Sequence, residues 1–168
     1  NGYEYSTGKI LKCHPHKSPL RIRKAIEISC NTYFCNAFEK YFRSFKNPTI
    51  GYKNWRSHLR SFGIGDYLNN DFINGSPGKL PTHLYYDNLY KKSWNANTII
   101  SMAIGQGELL LTPIQMANMV SIIANKGYYY TPHIIKEISG HIIDSNFTVK
   151  RHCSIEEKHF NIIIEGMQ

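Results

Sequence analysis

Apolar residues near the start of the chain recur at helical spacing on both sides of a short polar interruption. After Pro19, the spacing of Ile22, Ala25 and Ile26 predicts a helix over residues 20–29. Beyond the interruption a second stripe continues at i, i+3, i+4, i+7, i+8 and i+11. Its members are Phe34, Ala37, Phe38, Tyr41, Phe42 and Phe45. We expect this mostly aromatic stripe to form core.

The pattern predicts a further helix and then a long irregular stretch. Tyr52, Trp55, Leu59 and Phe62 share a helix face, and Gly63-Ile64-Gly65 ends it. Residues 66–94 are rich in Asn, Gly, Pro and Tyr and show little periodicity. We therefore expect an excursion with at most short strands or helical turns.

Two segments carry the signature of a helix start. Thr112-Pro113-Ile114-Gln115 combines an N-cap, a proline at the first helical position and a capping-box glutamine. This helix is predicted to reach about Asn125, with Gly127 as its stop. Its expected packing face comprises Ile114, Ala117, Val120, Ser121 and Ala124. Ser154-Ile155-Glu156-Glu157 is a second capping box, predicted to open a final helix towards Gly166.

Strand signals are few. Residues 128–138 indicate an extended segment interrupted at Pro132, and residues 141–143 indicate a strand that pairs back across Gly140. The predicted fold class is therefore mainly α with minor β.

The polar interruption holds Ser29 and Asn31, which are separated by one residue. Side chains at this spacing do not share a helix face, so a joint role requires the helix to break between them. Such a turn presents a hydroxyl that can relay a proton and a carboxamide that can donate and accept hydrogen bonds. The alternative is that both residues simply cap helix ends.

Three segments together resemble a known family, the transpeptidase domain of class B penicillin-binding proteins, and its elongation-type members in particular. They are Ser29-Cys30-Asn31-Thr32-Tyr33-Phe34, Ala103-Ile104-Gly105-Gln106-Gly107-Glu108 and Leu111-Thr112-Pro113-Ile114-Gln115-Met116-Ala117. The resemblance implies the helical part of the β-lactamase/transpeptidase-like fold, lacking most of its central sheet. Residues 1–168 would be the middle segment of that domain.

The resemblance also implies a function and a location. The intact parent would be a D,D-transpeptidase that cross-links peptidoglycan stem peptides through a serine acyl-enzyme and binds β-lactams, without a cofactor. Cell-elongation glycosyltransferases would be its partners. It would be a periplasmic domain of a protein anchored in the inner membrane.

By the same resemblance, Ser29 and Asn31 are the catalytic residues of this segment. Ser29 would relay a proton to the leaving group, and Asn31 would bind the donor peptide amide and orient a lysine. Gly105-Gln106-Gly107 lacks the Lys and Thr of a phosphate cradle, which leaves a tight turn with positive φ. The resemblance implies that this turn is a structural element that positions the helices of the domain.

The other catalytic motifs of the family are not legible. Ser6-Thr7-Gly8-Lys9 lies too near Ser29, Ser76-Pro77-Gly78-Lys79 follows it and contains helix breakers, and no Lys-Thr-Gly occurs. We therefore expect an internal fragment with no nucleophile, inactive alone. A non-catalytic binding or scaffolding module with transpeptidase-like helices is the alternative.

The composition is that of a folded domain with a basic surface. The 168 residues are 42% hydrophobic and 13% aromatic, enough for one core. The net charge of +8 also suits a nucleic-acid-binding domain, but most basic residues are scattered. We expect a solvated basic face, equally placed to lie near anionic lipid or wall polymer, and no nucleic-acid partner.

The four cysteines match neither a disulfide scaffold nor a structural zinc motif. Cys13-His14-Pro15-His16 could contribute to a metal site only with ligands from elsewhere, so we predict a turn before the first helix and no metal. No apolar run approaches the roughly 18 residues of a membrane span, and we expect the chain as given to be soluble.

Overall fold

The structure, a computed structural model, describes residues 2–72, 74–140 and 144–168. It divides into two compact units. The first unit comprises the residues up to Arg56 together with Pro81–Leu109 and Ile162–Gln168. The second comprises Ser57–Leu80 and Leu110–Asn161.

The first unit is built from a hairpin and a set of helices. Its elements are β1 (Gly2–Ser6), β2 (Lys9–Lys12), α1 (Ile22–Glu27), α2 (Asn31–Arg43), most of α3 (Pro48–Ser61), α4 (His83–Leu89) and a 3-10 helix (Ala96–Ile104). The strands β1 and β2 pair antiparallel, with Tyr3 opposite Leu11. The helix break at residues 29–31 and α3 both lie where the sequence predicted them.

The core of the first unit forms where α2 packs against the 3-10 helix. Phe38 and Phe42 of the predicted stripe are buried, but Ala37 is exposed and Cys35 is fully buried instead. The buried face of α2 is therefore rotated from the predicted stripe. The other large buried members of this core are Tyr3, Tyr52, Tyr86, Trp94, Ile99, Ile100 and Met102.

The second unit has shorter elements. They are α5 (Pro113–Ala124), β3 (Tyr128–Tyr129), α6 (Ser145–Thr148), β4 (Arg151–His152), a 3-10 helix (Glu157–His159) and the start of α7 (Phe160–Met167). The strands β3 and β4 pair antiparallel. The predicted strand at residues 141–143 lies outside the described residues.

The predicted start of α5 is confirmed, but the predicted packing face of this helix is wrong. Thr112 and Gln115 form the reciprocal capping box. Of the predicted face, Ala117, Val120, Ser121 and Ala124 are exposed. The buried residues are Gln115, Asn118 and Ile122. Two polar side chains can be buried here because each hydrogen-bonds backbone carbonyls.

Gln115 makes the larger share of these bonds. Its Nε2 lies 2.8 Å from the carbonyl oxygen of Asp66, 2.9 Å from that of Pro77 and 3.3 Å from that of Gly63. Asn118 Nδ2 donates to the Phe62 carbonyl at 3.2 Å. The helix thus holds the loop after α3 through side-chain amides rather than through its apolar residues.

The prediction of a second capping box at residues 154–157 is wrong. The final 3-10 helix has Glu156 at its N-cap with no side-chain cap bond, and α7 begins only at Phe160. Ser154 contacts α3 instead, with its Oγ 2.9 Å from Ser61 Oγ and 2.6 Å from His58 Nδ1. These bonds satisfy the hydroxyl that the pattern had assigned to a helix end.

The fold class is confirmed as mainly α. In the described residues, β structure is limited to the two two-stranded sheets and an isolated bridge between Lys79 and Leu110. The irregular excursion at residues 66–94 contains the short helix α4. No described helix has both the length and the apolar character needed to cross a membrane.

Candidate functional site

The backbone leaves the helix at Ser29, as the Ser-Xaa-Asn spacing required. Ser29 has a φ of 50°, in the left-handed region that serine adopts at an energetic penalty. The Ser29 and Cys30 amides still donate, to the carbonyls of Ile26 and Ala25 at 3.0 and 2.9 Å. The end of α1 is therefore closed by backbone bonds, and Ser29 Oγ is not used to cap it.

The next helix is capped by Cys30. Its backbone is extended, and its Sγ accepts a hydrogen bond from the Tyr33 amide at 3.3 Å. Capping by this sulfur removes the need for a Ser29 or Asn31 cap. The alternative in which these two polar residues serve only as caps is therefore not supported by the geometry.

Asn31 instead fastens the turn to the hairpin. Its Nδ2 donates to the Lys12 carbonyl at 3.1 Å. One N–H of the amide is engaged there, so the acceptor Oδ1 and the second N–H of Nδ2 are left for another partner.

Ser29 and Asn31 line one open cavity of about 340 Å³. Its remaining walls are Ile26, Phe34, Ala103 and Ile104. An apolar lining with a few convergent polar groups is typical of a site that binds part of a small ligand. The structure thus brings together the two predicted residues and adds four that the sequence analysis assigned to apolar stripes or motifs and not to the site.

The Gly105-Gln106-Gly107 turn confirms its prediction. Gly105 has a φ of 71° and ends the 3-10 helix, with its amide bonded to the Met102 carbonyl. Gly107 has a φ of 86°, and a Cβ there would lie 2.6 Å from Ser101 Oγ. The turn ends the helix directly after Ala103 and Ile104, which are the residues that reach the cavity.

A thiol and imidazole cluster lies beside the turn. Cys30 Sγ is 3.0 Å from His16 Nε2, and Cys13 Sγ is 3.6 Å from the same nitrogen. The ligand atoms of Cys13, His16 and Cys30 all lie within 4.8 Å of one another. The sequence analysis required a ligand from elsewhere for any metal site at residues 13–16, and the structure places the Cys30 sulfur where it can serve as one. Spacing alone gave no signal for it.

The tautomer of His16 follows from its contacts. Its Nδ1 lies 3.0 Å from the Lys17 carbonyl oxygen, which can only accept. Nδ1 therefore carries the proton, and the Nε2 lone pair of the neutral ring points at the two sulfurs. A backbone carbonyl on the other ring nitrogen is the usual support of a metal-binding histidine.

The three thiols near the turn differ in acidity. Burial raises the pKa of Cys13, but hydrogen bonds with the Thr32 backbone and with His16 and Cys30 outweigh it and lower the pKa to about 6. Burial raises the pKa of Cys30, and it raises the pKa of Cys35 to about 11. The Lys17 carbonyl, followed by Cys13, raises the pKa of His16, so the metal-free cluster favours a charged imidazole beside the Cys13 thiolate. A soft cation such as Zn²⁺ would bind the thiolate together with the deprotonated imidazole.

Neither Ser-Xaa-Xaa-Lys candidate has the geometry of a nucleophile. Ser6 ends β1 and Lys9 begins β2, so the first candidate is a hairpin turn. Gly78, inside the second, has a φ of 64°, and its segment is not helical. A serine and lysine on one helix face occur in neither place.

Comparison with known proteins identifies the family. Residues 1–168 match the family described as the penicillin binding protein transpeptidase domain. The chain is 30% identical over 123 residues to the peptidoglycan D,D-transpeptidase MrdA of Haemophilus influenzae. This alignment covers 73% of the chain and 18% of the relative, so the chain spans less than a fifth of that protein.

Solved structures give the same result. The penicillin-binding protein PBP2 of Pseudomonas aeruginosa superposes with a TM-score of 0.72 at 25% identity, over 89% of this chain and 32% of that one. A peptidoglycan synthase complex described as coordinating polymerisation and crosslinking superposes with a TM-score of 0.74 at 24% identity. That match covers 98% of this chain and 26% of its counterpart.

The broken helix pair with its Ser-Xaa-Asn turn is thus part of a transpeptidase fold. The chain belongs to the penicillin-binding protein transpeptidase domain family. The relative described above is a peptidoglycan D,D-transpeptidase, and one of the two structural neighbours is the penicillin-binding protein PBP2.

Proposed function

We propose that this chain is the middle part of a serine D,D-transpeptidase that cross-links peptidoglycan stem peptides. The observation that carries this proposal is the joint placement of Ser29 and Asn31 on one cavity in a chain of this family. In the full domain, a serine from outside this chain attacks the terminal D-Ala-D-Ala bond of a donor peptide. An acceptor amine then resolves the acyl-enzyme.

The two residues of the turn have different roles in that reaction. Ser29 Oγ is exposed on the cavity and relays a proton towards the leaving amine. Asn31, held by Lys12, presents its Oδ1 to the amide N–H of the donor peptide. Ile26, Phe34 and Ile104 give the peptide an apolar wall.

The proposal includes the surroundings of the intact protein. The domain lies in the periplasm and belongs to a protein anchored in the inner membrane. A cell-elongation glycosyltransferase is its partner, supported by the similarity to a synthase complex described as coordinating polymerisation and crosslinking. β-Lactams acylate the same serine as the donor peptide.

Labelling with a fluorescent penicillin tests this function. The full-length protein that contains this segment should be labelled, whereas the 168-residue chain alone should not. Ser29→Ala and Asn31→Ala in the full-length protein should slow acylation by roughly 10²-fold or more. Asn36→Ala, on the exposed side of α2, should label at the parent rate. An unlabelled full-length protein, or a labelled fragment, would contradict the proposal.

A second function is favoured by the cluster next to the turn. We infer that Cys13, His16 and Cys30 hold a Zn²⁺ ion that fixes residues 13–16 against the Cys30 cap. Binding of cobalt by the chain should give a thiolate charge-transfer band. Cys13→Ser, His16→Ala and Cys30→Ser should each weaken that band, and Cys153→Ser should not. A band that survives in Cys13→Ser would exclude this site.

A further inference from the structure

The sulfur atoms of Cys13 and Cys30 in this cluster are also close to each other. Cys13 Sγ lies 3.8 Å from Cys30 Sγ, although the residues are 17 positions apart in the chain. A disulfide brings two sulfurs to about 2.05 Å. Joining them therefore requires the two sulfurs to move closer together.

The two thiols differ in access. Cys13 is half-buried, and Cys30 has 1% of its surface exposed. A dissolved oxidant can therefore reach Cys13 but not Cys30. Cys35 is fully buried, and Cys153 belongs to the second unit.

We propose that Cys13 and Cys30 are a reversible oxidation site, in which Cys13 is the attacking thiol and Cys30 the resolving thiol of an intramolecular disulfide. This inference rests on the distance and access of the two sulfurs, and it does not require the proposed transpeptidase activity or a bound metal.

The reaction balances with a small-molecule disulfide such as oxidised glutathione as the oxidant. The Cys13 thiolate attacks one sulfur of glutathione disulfide, forms a mixed disulfide and releases one glutathione thiolate. Cys30 Sγ then attacks Cys13 Sγ and releases the second glutathione. The thiol proton of Cys30 passes to Nε2 of the neutral His16 ring, which lies 3.0 Å from Cys30 Sγ. The two cysteines lose two electrons, and glutathione disulfide gains them.

The Cys13–Cys30 disulfide changes the environment of the Ser29–Asn31 turn. Cys30 lies between Ser29 and Asn31 and caps α2 through its sulfur. A bond to Cys13 fastens that cap covalently to the end of the hairpin and withdraws both sulfurs from metal binding. The turn is then held by a covalent link in the oxidised chain and by noncovalent contacts in the reduced chain.

Titration of thiols in the metal-free chain with oxidised glutathione tests the proposal. The four free thiols should fall to two, with a mass loss of about 2 Da and no retained glutathione. Trypsin cuts after Lys12, Lys17, Lys24 and Lys40, so the link should join a peptide containing Cys13 to one containing Cys30 and Cys35. Fragmentation of that peptide distinguishes Cys30 from Cys35.

Variants provide the matched controls. Cys153→Ser should still lose two thiols, whereas Cys30→Ser should stop at a mixed disulfide on Cys13. Dithiothreitol should restore all thiols, and preloading with Zn²⁺ should slow the oxidation of a chain that binds it. A link to Cys35 or Cys153, a link between chains, or four unchanged thiols in a chain with native circular dichroism would overturn the proposal.

Discussion

Asn31 Nδ2 donates a hydrogen bond to the Lys12 carbonyl at 3.1 Å and so fastens the Ser-Xaa-Asn turn to the end of the hairpin. The bond joins residues 19 positions apart in the chain. Together with the contact between Cys30 and His16, it gives the turn two attachments to residues 12–16. The position of Ser29 on its cavity therefore depends on a loop that carries no catalytic motif.

Replacing Asn31 with Asp should release this attachment. An aspartate has no donor at that position, and its carboxylate would face the Lys12 carbonyl oxygen. We expect unfolding to become easier by about 1 kcal/mol and trypsin to cut faster after Lys12 and Lys17. Asn36→Asp is the matched control, because its amide bonds the Thr32 carbonyl within α2. Equal cleavage rates in the two variants would show that the Lys12 bond does not hold the loop.

Ser29 should be a position where stability and function conflict. Its φ of 50° is strained for serine and relaxed for glycine. Ser29→Gly should therefore match or exceed the parent in thermal stability, by up to about 1 kcal/mol. Ser29→Val should lower it by about 1–2 kcal/mol, because a β-branched side chain tolerates this φ poorly. Calorimetry of both variants checks the order, and a glycine variant less stable than the valine variant would contradict it.

The Ser29–Asn31 turn of this site could be predicted from the sequence, whereas its contacts with residues 12–16 could not. The helix break follows from two polar residues inside an apolar helical pattern, which is local information. The approach of His16 and Cys13 to Cys30 depends on where the β1–β2 hairpin directs the chain after Lys12, which is tertiary information. The tethering carbonyl of Lys12 has no sequence signal, because every residue carries one.

The buried face of α5 illustrates the same limit. Apolar periodicity predicted Ala117, Val120 and Ala124 as the packing face, but these residues are exposed. The periodicity argument assumes that polar side chains avoid the interior. Gln115 and Asn118 are buried because unpaired loop carbonyls are there to accept from their amides.

Gln115→Leu should be strongly destabilising for the second unit. It keeps the side-chain volume roughly constant but leaves the carbonyls of Asp66 and Pro77 without their buried donor. It also removes the bond between Gln115 Oε1 and the Thr112 amide. We expect a loss of about 3 kcal/mol in the free energy of unfolding, measured by urea titration. Met116→Leu, at a neighbouring exposed position, should change stability by less than about 0.5 kcal/mol.

Glu39 should make the first unit sensitive to acid. The nearby Tyr3 hydroxyl, followed by the hydrogen bond from Arg43, holds the pKa of Glu39 below its ordinary value despite partial burial. The folded state thus favours the carboxylate. Its stabilisation is present above the unfolded pKa of about 4.3 and is lost as pH falls through the lower folded pKa.

Glu39→Gln should therefore flatten the decline in stability below about pH 4.3. Urea titrations at several pH values measure the slope for each variant. Glu137→Gln, an exposed carboxylate of the second unit, is the control and should leave the slope unchanged. If the stability of Glu39→Gln declines with acid as steeply as that of the parent, the folded state does not favour the charged form of Glu39.

Gly166 should be required for the packing of α7 on α1. A Cβ at this position would lie 2.9 Å from both the Arg23 carbonyl oxygen and Ile26 Cβ, closer than real Cβ contacts come. Alanine gains up to about 1 kcal/mol in helix propensity over glycine, but overpacking against backbone typically loses about 1–3 kcal/mol. We therefore expect Gly166→Ala to lower the melting temperature, whereas Gly75→Ala, whose nearest neighbours lie at 3.8 Å, should not. Because Ile26 also lines the Ser29 cavity, Gly166→Ala in the full-length protein should slow penicillin labelling as well. An unchanged melting temperature would show that the contact between α1 and α7 accommodates the methyl group without a loss of stability.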